Sequence, residues 1–419
     1  MKRLFMIVMI ITITVVFSGC SSNKDAIKIN QEGYKYYSQG EYKQALEKYN
    51  EAIEKYPDFS TSYANRAILY FELGDHEESL ADIDKAISIN DKDAVAYSNR
   101  GYINLALGET TKAIEDLDKA IELKKYFDDE ESLALTYTTR GTAYGLIGDY
   151  EEGIESLDKA LKINKNDKTI YNAKGILYKD WGKYEEALES YDEALSIDSS
   201  YAYAYANRAF VFFIKEEYDK ALADVNTAID INPLIPQAYN TQALIYSKKG
   251  DSDTAIQIYD FLLSKWNNYA DAYIGRGNEY FNKKEYGQAL INYSVAADYG
   301  NKDALAQKGY LHEYLDQNEE AVEAFKEYLE SKPNNYTIII EIGDLYQKLE
   351  EYDKSIEYYD QAIKIKPDIY QSYFKKGLSL EYLEKYEEAL EMFNKVLEID
   401  EKQVDAKNEI ELIDKKLKR

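Results

Sequence analysis

Few residues in this sequence have the type and spacing that catalysis or metal binding requires. The 419-residue chain has two histidines, His76 and His312, which are far apart and lack partners at the spacing of metal ligands. Paired acids such as Glu151-Glu152 recur at equivalent places along the chain, which is typical of solvated helix faces and not of a general acid–base pair. There is neither a phosphate-binding glycine loop nor a nucleophile elbow. We therefore predict that the protein is not an enzyme and has no cofactor, no metal and no small-molecule substrate.

Three Asn-Arg dipeptides are each followed, sixteen residues after the arginine, by an aspartate. Arginine can bind a carboxylate through two parallel hydrogen bonds, and this joint occurrence predicts an ion pair between two helices. We interpret these pairs as structural and not as a ligand-binding set. The predicted pairs are Arg66–Asp82, Arg100–Asp116 and Arg208–Asp224.

The single cysteine, Cys20, ends a segment with the features of a secretion signal. Two basic residues and an apolar run, 4–17, precede it, and that run is short for a membrane-spanning helix, which needs about 20 residues. The segment resembles the signal of bacterial lipoproteins, in which the cysteine is acylated, for example with palmitate, and becomes the mature N-terminus. Phe17 stands where that family usually has leucine. The resemblance implies a signal peptide over 1–19 and a lipidated Cys20 that begins a short tether over 20–25; an ordinary cleaved signal is the alternative.

The composition narrows the classes of partner. A formal net charge of −26 repels nucleic acid and anionic lipid headgroups, so we expect neither to bind the body of the protein. Only 5 prolines and 20 glycines interrupt the chain, which favours helix over most of its length. The 43 tyrosines suit amphipathic helices and binding surfaces.

Small residues recur at a spacing of 34 along nearly the whole chain, with a single longer step of 40 and one of 32. If this small residue is numbered position 8 of each repeat, position 20 is also small, position 15 is often glycine, and four repeats have proline at position 32. Small side chains at 8 and 20 allow two helices to approach closely, and glycine at 15 suits the turn between them. The position-8 residues are Gly33, Ala67, Gly101, Gly141, Gly175, Ala209, Ala243, Gly277, Gly309, Gly343 and Gly377.

This pattern resembles the tetratricopeptide repeat, and segments such as GYKYYSQGEYKQALEKYNEAIEKYP are close to that family's pattern. The resemblance implies an all-α fold, a right-handed superhelical solenoid of antiparallel helix pairs. We expect eleven repeats over 26–403 and a capping helix over 404–419. The longer step leaves an acidic insertion around 128–131, which we interpret as a helix extension or a loop.

In this family the concave surface is lined by positions 2, 5, 6, 9, 12 and 13 of each repeat. In the first seven repeats these positions form an apolar and aromatic stripe beside a stripe of amides and hydroxyls, with few charges. Asparagine can bond the backbone of an extended peptide while aromatic residues contact its side chains. A cationic clamp for an acidic peptide, as in some relatives, is not evident. The predicted peptide-binding residues are Tyr34, Tyr37, Asn65, Ile68, Phe71, Asn99, Tyr102, Asn207, Phe210 and Phe213.

These observations lead to one main hypothesis and two alternatives. The main hypothesis is a lipid-anchored scaffold that binds a protein or peptide in the bacterial cell envelope, facing away from the cytoplasm, and in the outer membrane if the organism has one. The first alternative is an assembly or pilotin-type lipoprotein of an envelope or secretion machine. The second is an enzyme acting on cell-wall material, which would need clustered acids outside the repeat pattern, and the sequence shows none.

Overall fold

The structure, a computed structural model, describes residues 24–127 and 129–417, which contain 23 α-helices, a short 3-10 helix at Lys124–Tyr126 and no strand. The predicted signal peptide and Cys20 lie outside the described residues. The chain divides into two compact units, residues 1–238 and 239–419.

The first unit contains twelve complete helices. They are α1 (Lys24–Ser38), α2 (Tyr42–Lys55), α3 (Ser60–Leu73), α4 (His76–Ile89), α5 (Ala94–Ala106), α6 (Thr110–Glu122), α7 (Glu130–Ile147), α8 (Tyr150–Ile163), α9 (Lys168–Asp180), α10 (Tyr184–Ile197), α11 (Ala202–Ile214) and α12 (Tyr218–Ile231).

The next helix, α13 (Pro236–Lys248), includes the boundary, and ten helices follow it in the second unit. They are α14 (Ser252–Lys265), α15 (Ala270–Asn282), α16 (Tyr286–Asp298), α17 (Asp303–Tyr314), α18 (Asn318–Ser331), α19 (Tyr336–Lys348), α20 (Tyr352–Ile365), α21 (Tyr370–Tyr382), α22 (Tyr386–Ile399) and α23 (Val404–Leu417).

Successive helices pack as pairs, from α1 with α2 to α11 with α12 in the first unit and from α15 with α16 to α21 with α22 in the second, and each pair packs on the next within its unit. The first helices of neighbouring pairs also touch each other, as α3 touches α1 and α5. A single pair buries too little apolar surface to be stable alone, so stacking on its neighbours completes its core. At the end of the second unit, α23 covers the last pair with Ala406 and Ile413, which are fully buried beside Phe393 and Val396.

The small residue at position 8 is explained by the contact inside each pair. A Cβ added to Gly175 would lie 2.4 Å from Cε1 of Tyr191, sixteen residues later on the facing helix. At the same spacing, Ala209 has the smaller Val225, whereas Ala243 has a tyrosine, Tyr259. A small residue at position 8 therefore leaves room for the buried side chain sixteen residues later, as close packing requires.

The turn between the two helices of a pair places position 15 in the left-handed conformation. Six of these residues are glycines, for which that conformation carries no steric penalty. Five others have a side chain and still adopt a φ between 56° and 62°: Glu216, Lys284, Asp316, Glu350 and Glu384. The turn geometry thus persists where the sequence lacks glycine.

The insertion before the fourth pair lengthens its first helix. After the 3-10 helix, Asp129 caps α7, and its Oδ1 accepts a hydrogen bond from the Ser132 amide at 2.6 Å. At 18 residues, α7 is longer than the other helices described. Within 24–127 and 129–417, none of the helices combines the length and apolar character that a membrane span requires.

Candidate binding surface

The structure brings together the three predicted Arg–Asp pairs. Arg66 Nε lies 2.6 Å from Asp82 Oδ2, and Arg66 Nη2 lies 2.8 Å from the other oxygen, so the contact is bidentate. Arg100 Nη2 contacts Asp116 Oδ1 at 2.6 Å. Arg208 Nε contacts Asp224 Oδ2 at 2.7 Å. All three aspartates are buried, which makes these pairs part of the interior of each helix pair.

The same arginines also reach the preceding repeat, a contact that the sequence analysis did not predict. Arg100 Nη1 donates to Asp84 Oδ1 at 2.6 Å, and Arg208 Nη1 donates to Asp192 Oδ1 at 2.5 Å. Hydrogen bonding to Asp116 and Asp84 raises the pKa of the Arg100 guanidinium, although its burial acts in the opposite direction. Equivalent contacts sixteen residues back are Lys174–Asp158, Arg276–Asp260 and Lys376–Asp360. We call this series the charge ladder, and it links neighbouring repeats.

The charge ladder is interrupted in the second unit at Lys308. Ser294 and Ala324 occupy the two repeat positions at which acidic residues pair with the arginines of other repeats. Lys308 forms no ion pair with any residue that the structure describes. His312 occupies position 11, where most repeats have tyrosine. A cavity of about 530 Å³ opens here, and the exposed Ile291 contributes to its wall.

Four of the predicted groove aromatics pack against one hydrophobic cluster in the first three repeats. Tyr34, Tyr37, Phe71 and Tyr102 are all half-buried, and the cluster beneath them includes Ile68. The ring centroids of Tyr34 and Tyr37 are 6.4 Å apart, and those of Phe71 and Tyr102 are 5.8 Å apart with the rings edge to face. We call these four residues the aromatic surface. Ile68 was predicted to face the groove but is 0% exposed, because it belongs to the buried cluster.

The predicted amide stripe is largely internal. Asn65 is only 3% exposed and therefore does not present its amide to a peptide, contrary to the prediction. Asn207 Nδ2 donates to Asn172 Oδ1 at 2.9 Å, so this amide joins the first helices of two neighbouring repeats. Asn99 is half-buried and is the asparagine of this set that remains a candidate for peptide contact.

A second aromatic group lies on α11 in the sixth repeat. Phe210 and Phe213 are half-buried, with ring centroids 6.0 Å apart, and Tyr218 packs next to Phe213 at 6.1 Å. Lys179 Nζ, from the preceding repeat, lies 5.7 Å from the Phe210 ring centroid, within the range of a cation–π contact.

One carboxylate, Glu72, lies among the rings of the aromatic surface. The Tyr37 hydroxyl donates a hydrogen bond to Glu72 Oε1. Burial raises the Tyr37 pKa, and the bond to Glu72 raises it further. The negative charge of Glu72 also raises the pKa of Tyr42, at the start of α2. Tyr102 has a pKa raised first by burial and then by Glu72. Glu72, Tyr37, Tyr42 and Tyr102 form a set that we call the Glu72 cluster.

The equivalent face of the last three repeats is charged and internally paired. Lys375 Nζ lies 2.7 Å from Asp344 Oδ2, and Lys348 Nζ lies 2.6 Å from Glu313 Oε1. Burial raises the pKa of Glu341, and the nearby Glu313 and Asp344 raise it further. This face therefore differs in chemistry from the aromatic surface.

Neither histidine lies in a constellation that could hold a metal. The His76 ring packs on Phe71 at a centroid distance of 5.3 Å, and His312 Nδ1 is 2.8 Å from Gln317 Oε1. Among residues 24–127 and 129–417, no group of three or more potential ligands could hold a metal ion.

Family models for tetratricopeptide repeats match most of the described chain. A TPR repeat model matches residues 33–74 and 177–214, and three tetratricopeptide repeat models match 92–166 and 336–402, 225–257, and 60–93 and 303–335. No curated protein matches the sequence significantly.

Solved structures show the same fold at low sequence identity. A human IFIT1 dimer with m7Gppp-AAAA is 17% identical with a TM-score of 0.51, and the alignment covers 89% of this chain and 90% of that one. A tetratricopeptide repeat protein from Parabacteroides merdae is 21% identical with a TM-score of 0.49, covering 61% of this chain and 99% of that one. Pseudomonas aeruginosa pilF is 17% identical with a TM-score of 0.46, covering 53% and 98%. The paired helices, the 34-residue period and the family models that match most of the described residues show that the chain belongs to the tetratricopeptide repeat family. It is an all-α solenoid, a fold that typically serves as a scaffold for protein interactions.

Proposed function

We propose that the protein is a lipid-anchored scaffold of the bacterial cell envelope that binds an extended segment of a partner protein. The partner segment lies along the predicted groove positions of the first unit, contacting the aromatic surface and the Phe210–Phe213 pair. The anchor is the acylated Cys20, which the resemblance to lipoprotein signals supports.

The observation that carries this proposal is the half-exposed state of the aromatic residues. Tyr34 packs on Tyr37 and Phe71 packs on Tyr102, and all four residues are half-buried against one hydrophobic cluster. Aromatic residues of this kind provide a large contact area at a small loss of side-chain entropy, and they dominate many protein interfaces. Other charged residues form the charge ladder and exposed ion pairs, for example Arg100–Asp84 and Arg208–Asp192.

The tether places the aromatic surface near the membrane. From Cys20 to the start of α1 at Lys24 the chain can span at most about 14 Å when extended. The net charge of −26 disfavours contact of the repeats with anionic headgroups, so the solenoid extends away from the lipid surface. The first repeats are then the ones that meet a partner close to the membrane.

Two measurements test the anchor and the surface separately. Cys20→Ala should abolish incorporation of a labelled fatty acid and release the protein from the membrane pellet; full retention in the pellet contradicts the anchor. For the surface, a photo-crosslinking amino acid replaces Tyr102, and Tyr126, which is 41% exposed on the 3-10 helix, serves as the matched control position. Crosslinks should form at Tyr102 and not at Tyr126.

A partner captured in this way is then titrated against purified variants. Phe210→Ala should weaken its binding by about 2 kcal/mol, close to thirtyfold, because truncation of an aromatic anchor at an interface has effects of this size. Unchanged affinity for Phe210→Ala and Tyr102→Ala together would place the binding site on another face of the solenoid.

A further inference from the structure

We propose that the Glu72 cluster is a binding site for a lysine or arginine side chain of the partner segment. This inference rests on the proposed function, since it specifies the chemistry that one point of the groove recognises. The partner would place a single cationic side chain against the rings of Tyr37 and Tyr42, with its charged end at the Glu72 carboxylate.

Glu72 forms no ion pair with a lysine or arginine that the structure describes. Its partner in the fold is the neutral hydroxyl of Tyr37, and no lysine or arginine among residues 24–127 and 129–417 lies within ion-pair distance of it. Asp180, which occupies the same position 13 of the fifth repeat, is paired with Lys179 at 2.8 Å. The carboxylate at this position thus has a cation in one repeat and lacks one in the other.

Aromatic rings lie close to the Glu72 carboxylate. The ring of Tyr37, whose hydroxyl bonds to Glu72, has its centroid 5.9 Å from that of Tyr42, and Phe71, next to Glu72 in the chain, packs edge to face on Tyr102 at 5.8 Å. A cation within about 6 Å of such a ring is attracted by its π-electrons, and aromatic cages bind quaternary ammonium groups in this way. The protein makes contacts of this length elsewhere, for example between the Arg66 guanidinium and the Tyr70 ring at 5.6 Å.

The site is accessible to a side chain of the partner, and its charge is negative, opposite to that of lysine or arginine. Glu72 is exposed, Tyr42 is 37% exposed, and Tyr37 and Tyr102 are half-buried, so a side chain reaches the carboxylate without unfolding a helix. The net charge of −26 raises the local concentration of basic segments and accelerates their association. An anionic side chain would meet both this field and Glu72 itself.

The test uses the full chain in detergent micelles and four immobilised libraries of ten-residue peptides. The peptides are randomised except at the central residue, which is fixed as lysine, arginine, glutamine or glutamate. Wild-type protein should retain the lysine and arginine libraries at least about tenfold more strongly than the glutamine and glutamate libraries. The preference should decrease between low and high salt, because an exposed charge contact is screened.

Three variants identify the source of the preference. Glu72→Gln should bind all four libraries alike, while its melting temperature should be close to that of the wild type, because glutamine can still accept the Tyr37 hydrogen bond. Asp180→Asn removes one negative charge at the equivalent repeat position and should keep the full preference. Phe210→Ala should weaken binding of every library by a similar factor and leave the lysine-to-glutamine ratio unchanged.

The outcomes separate this site from the proposed function. Equal retention of the lysine and glutamine libraries by the wild type overturns the cation site, although peptide binding itself stands. The cation site is also overturned if Glu72→Gln still prefers the lysine and arginine libraries, or if Asp180→Asn loses this preference as fully as Glu72→Gln does. In either case the preference would come from the overall charge. Retention of none of the four libraries by the wild type overturns the cation site and the proposed peptide groove together.

Discussion

The packing inside each helix pair can be tested by adding one methyl group. In Gly175→Ala the new Cβ would lie 2.4 Å from Cε1 and 2.7 Å from Cδ1 of Tyr191, a ring that is fully buried and has little room to move. Gly287, near the start of α16, provides a matched control, because a Cβ added there has no heavy atom within 4 Å. The two substitutions are chemically identical and differ in what the methyl group meets.

The expected magnitudes follow from two opposing effects. Alanine is favoured over glycine within a helix by up to about 1 kcal/mol. Overpacking of a dense core costs about 1–3 kcal/mol. Gly287→Ala should therefore raise the free energy of unfolding by up to about 1 kcal/mol, and Gly175→Ala should lower it by up to about 2 kcal/mol. The difference between the two variants isolates the clash with Tyr191.

A second substitution decides whether Tyr191 is the cause. In the Tyr191→Val background the clash is absent, and the pair then matches Ala209 and Val225 of the next repeat. Gly175→Ala should be neutral or stabilising in that background, which gives a coupling energy of about 1–3 kcal/mol between the two sites.

The measurement is urea unfolding followed by circular dichroism, together with hydrogen exchange of the α9 and α10 amides. The local readout is needed because repeat arrays do not always unfold in a single step. If Gly175→Ala stabilises the wild-type protein as much as Gly287→Ala does, the reasoning about close helix approach is refuted.

Three further predictions concern charge and backbone strain. Arg100→Met should lower the free energy of unfolding by about 2 kcal/mol, because it leaves the buried Asp116 without its cation. Asp84→Asn, at the exposed end of the arginine's contacts, should change the free energy of unfolding by less than about 1 kcal/mol. Thermal unfolding of both variants distinguishes these effects. Glu216→Gly should raise the melting temperature, because glycine relieves a left-handed residue at φ 61° with a net gain of up to about 1 kcal/mol; a lower melting temperature would contradict this. Hydrogen bonds from Lys168 and Ser200 lower the pKa of Asp198 to about 2. The stability that the ionised Asp198 contributes is therefore complete above pH 4 and is lost as the pH falls to 2. In Asp198→Asn, this acid-induced loss of stability should be absent from the pH dependence of unfolding.

Much of the fold could be predicted from the sequence because the repeat is long and regular. A period of 34 with small residues at positions 8 and 20 determines the helix pairs, since these positions must lie where two helices meet. The Arg–Asp pairs were predictable for the same reason, because residues such as Arg66 and Asp82 vary together within one repeat. The contact of Arg100 with Asp84 was missed because it joins two repeats, although the same spacing of sixteen residues toward the N-terminus was present in the sequence.

The candidate surface could be predicted only in part. The aromatic residues at the predicted groove positions are half-buried, so part of each is accessible. Asn65 and Ile68 lie at predicted groove positions as well, but they are buried. Position within a repeat indicates which face of the first helix a residue occupies, and it does not indicate how closely the next repeat covers that face. Asn207 illustrates this, because its amide is used by Asn172 of the preceding repeat.

A solenoid offers an internal comparison for each of its residues, since the same position recurs in repeats that have the same packing. At position 10 most first helices have a buried apolar residue, such as Leu311, whereas Glu279 places a 2% exposed carboxylate there and bonds to the Ser247 hydroxyl. At position 13 Asp180 is paired with Lys179, whereas Glu72 has no ion pair with any described residue and accepts a hydrogen bond from Tyr37. Neighbouring helices cover the Glu279 carboxylate, so this residue affects how the helices pack. Glu72 faces solvent next to aromatic rings, where packing gains nothing from a charge, and a partner with the opposite charge is the physical reason to keep one there.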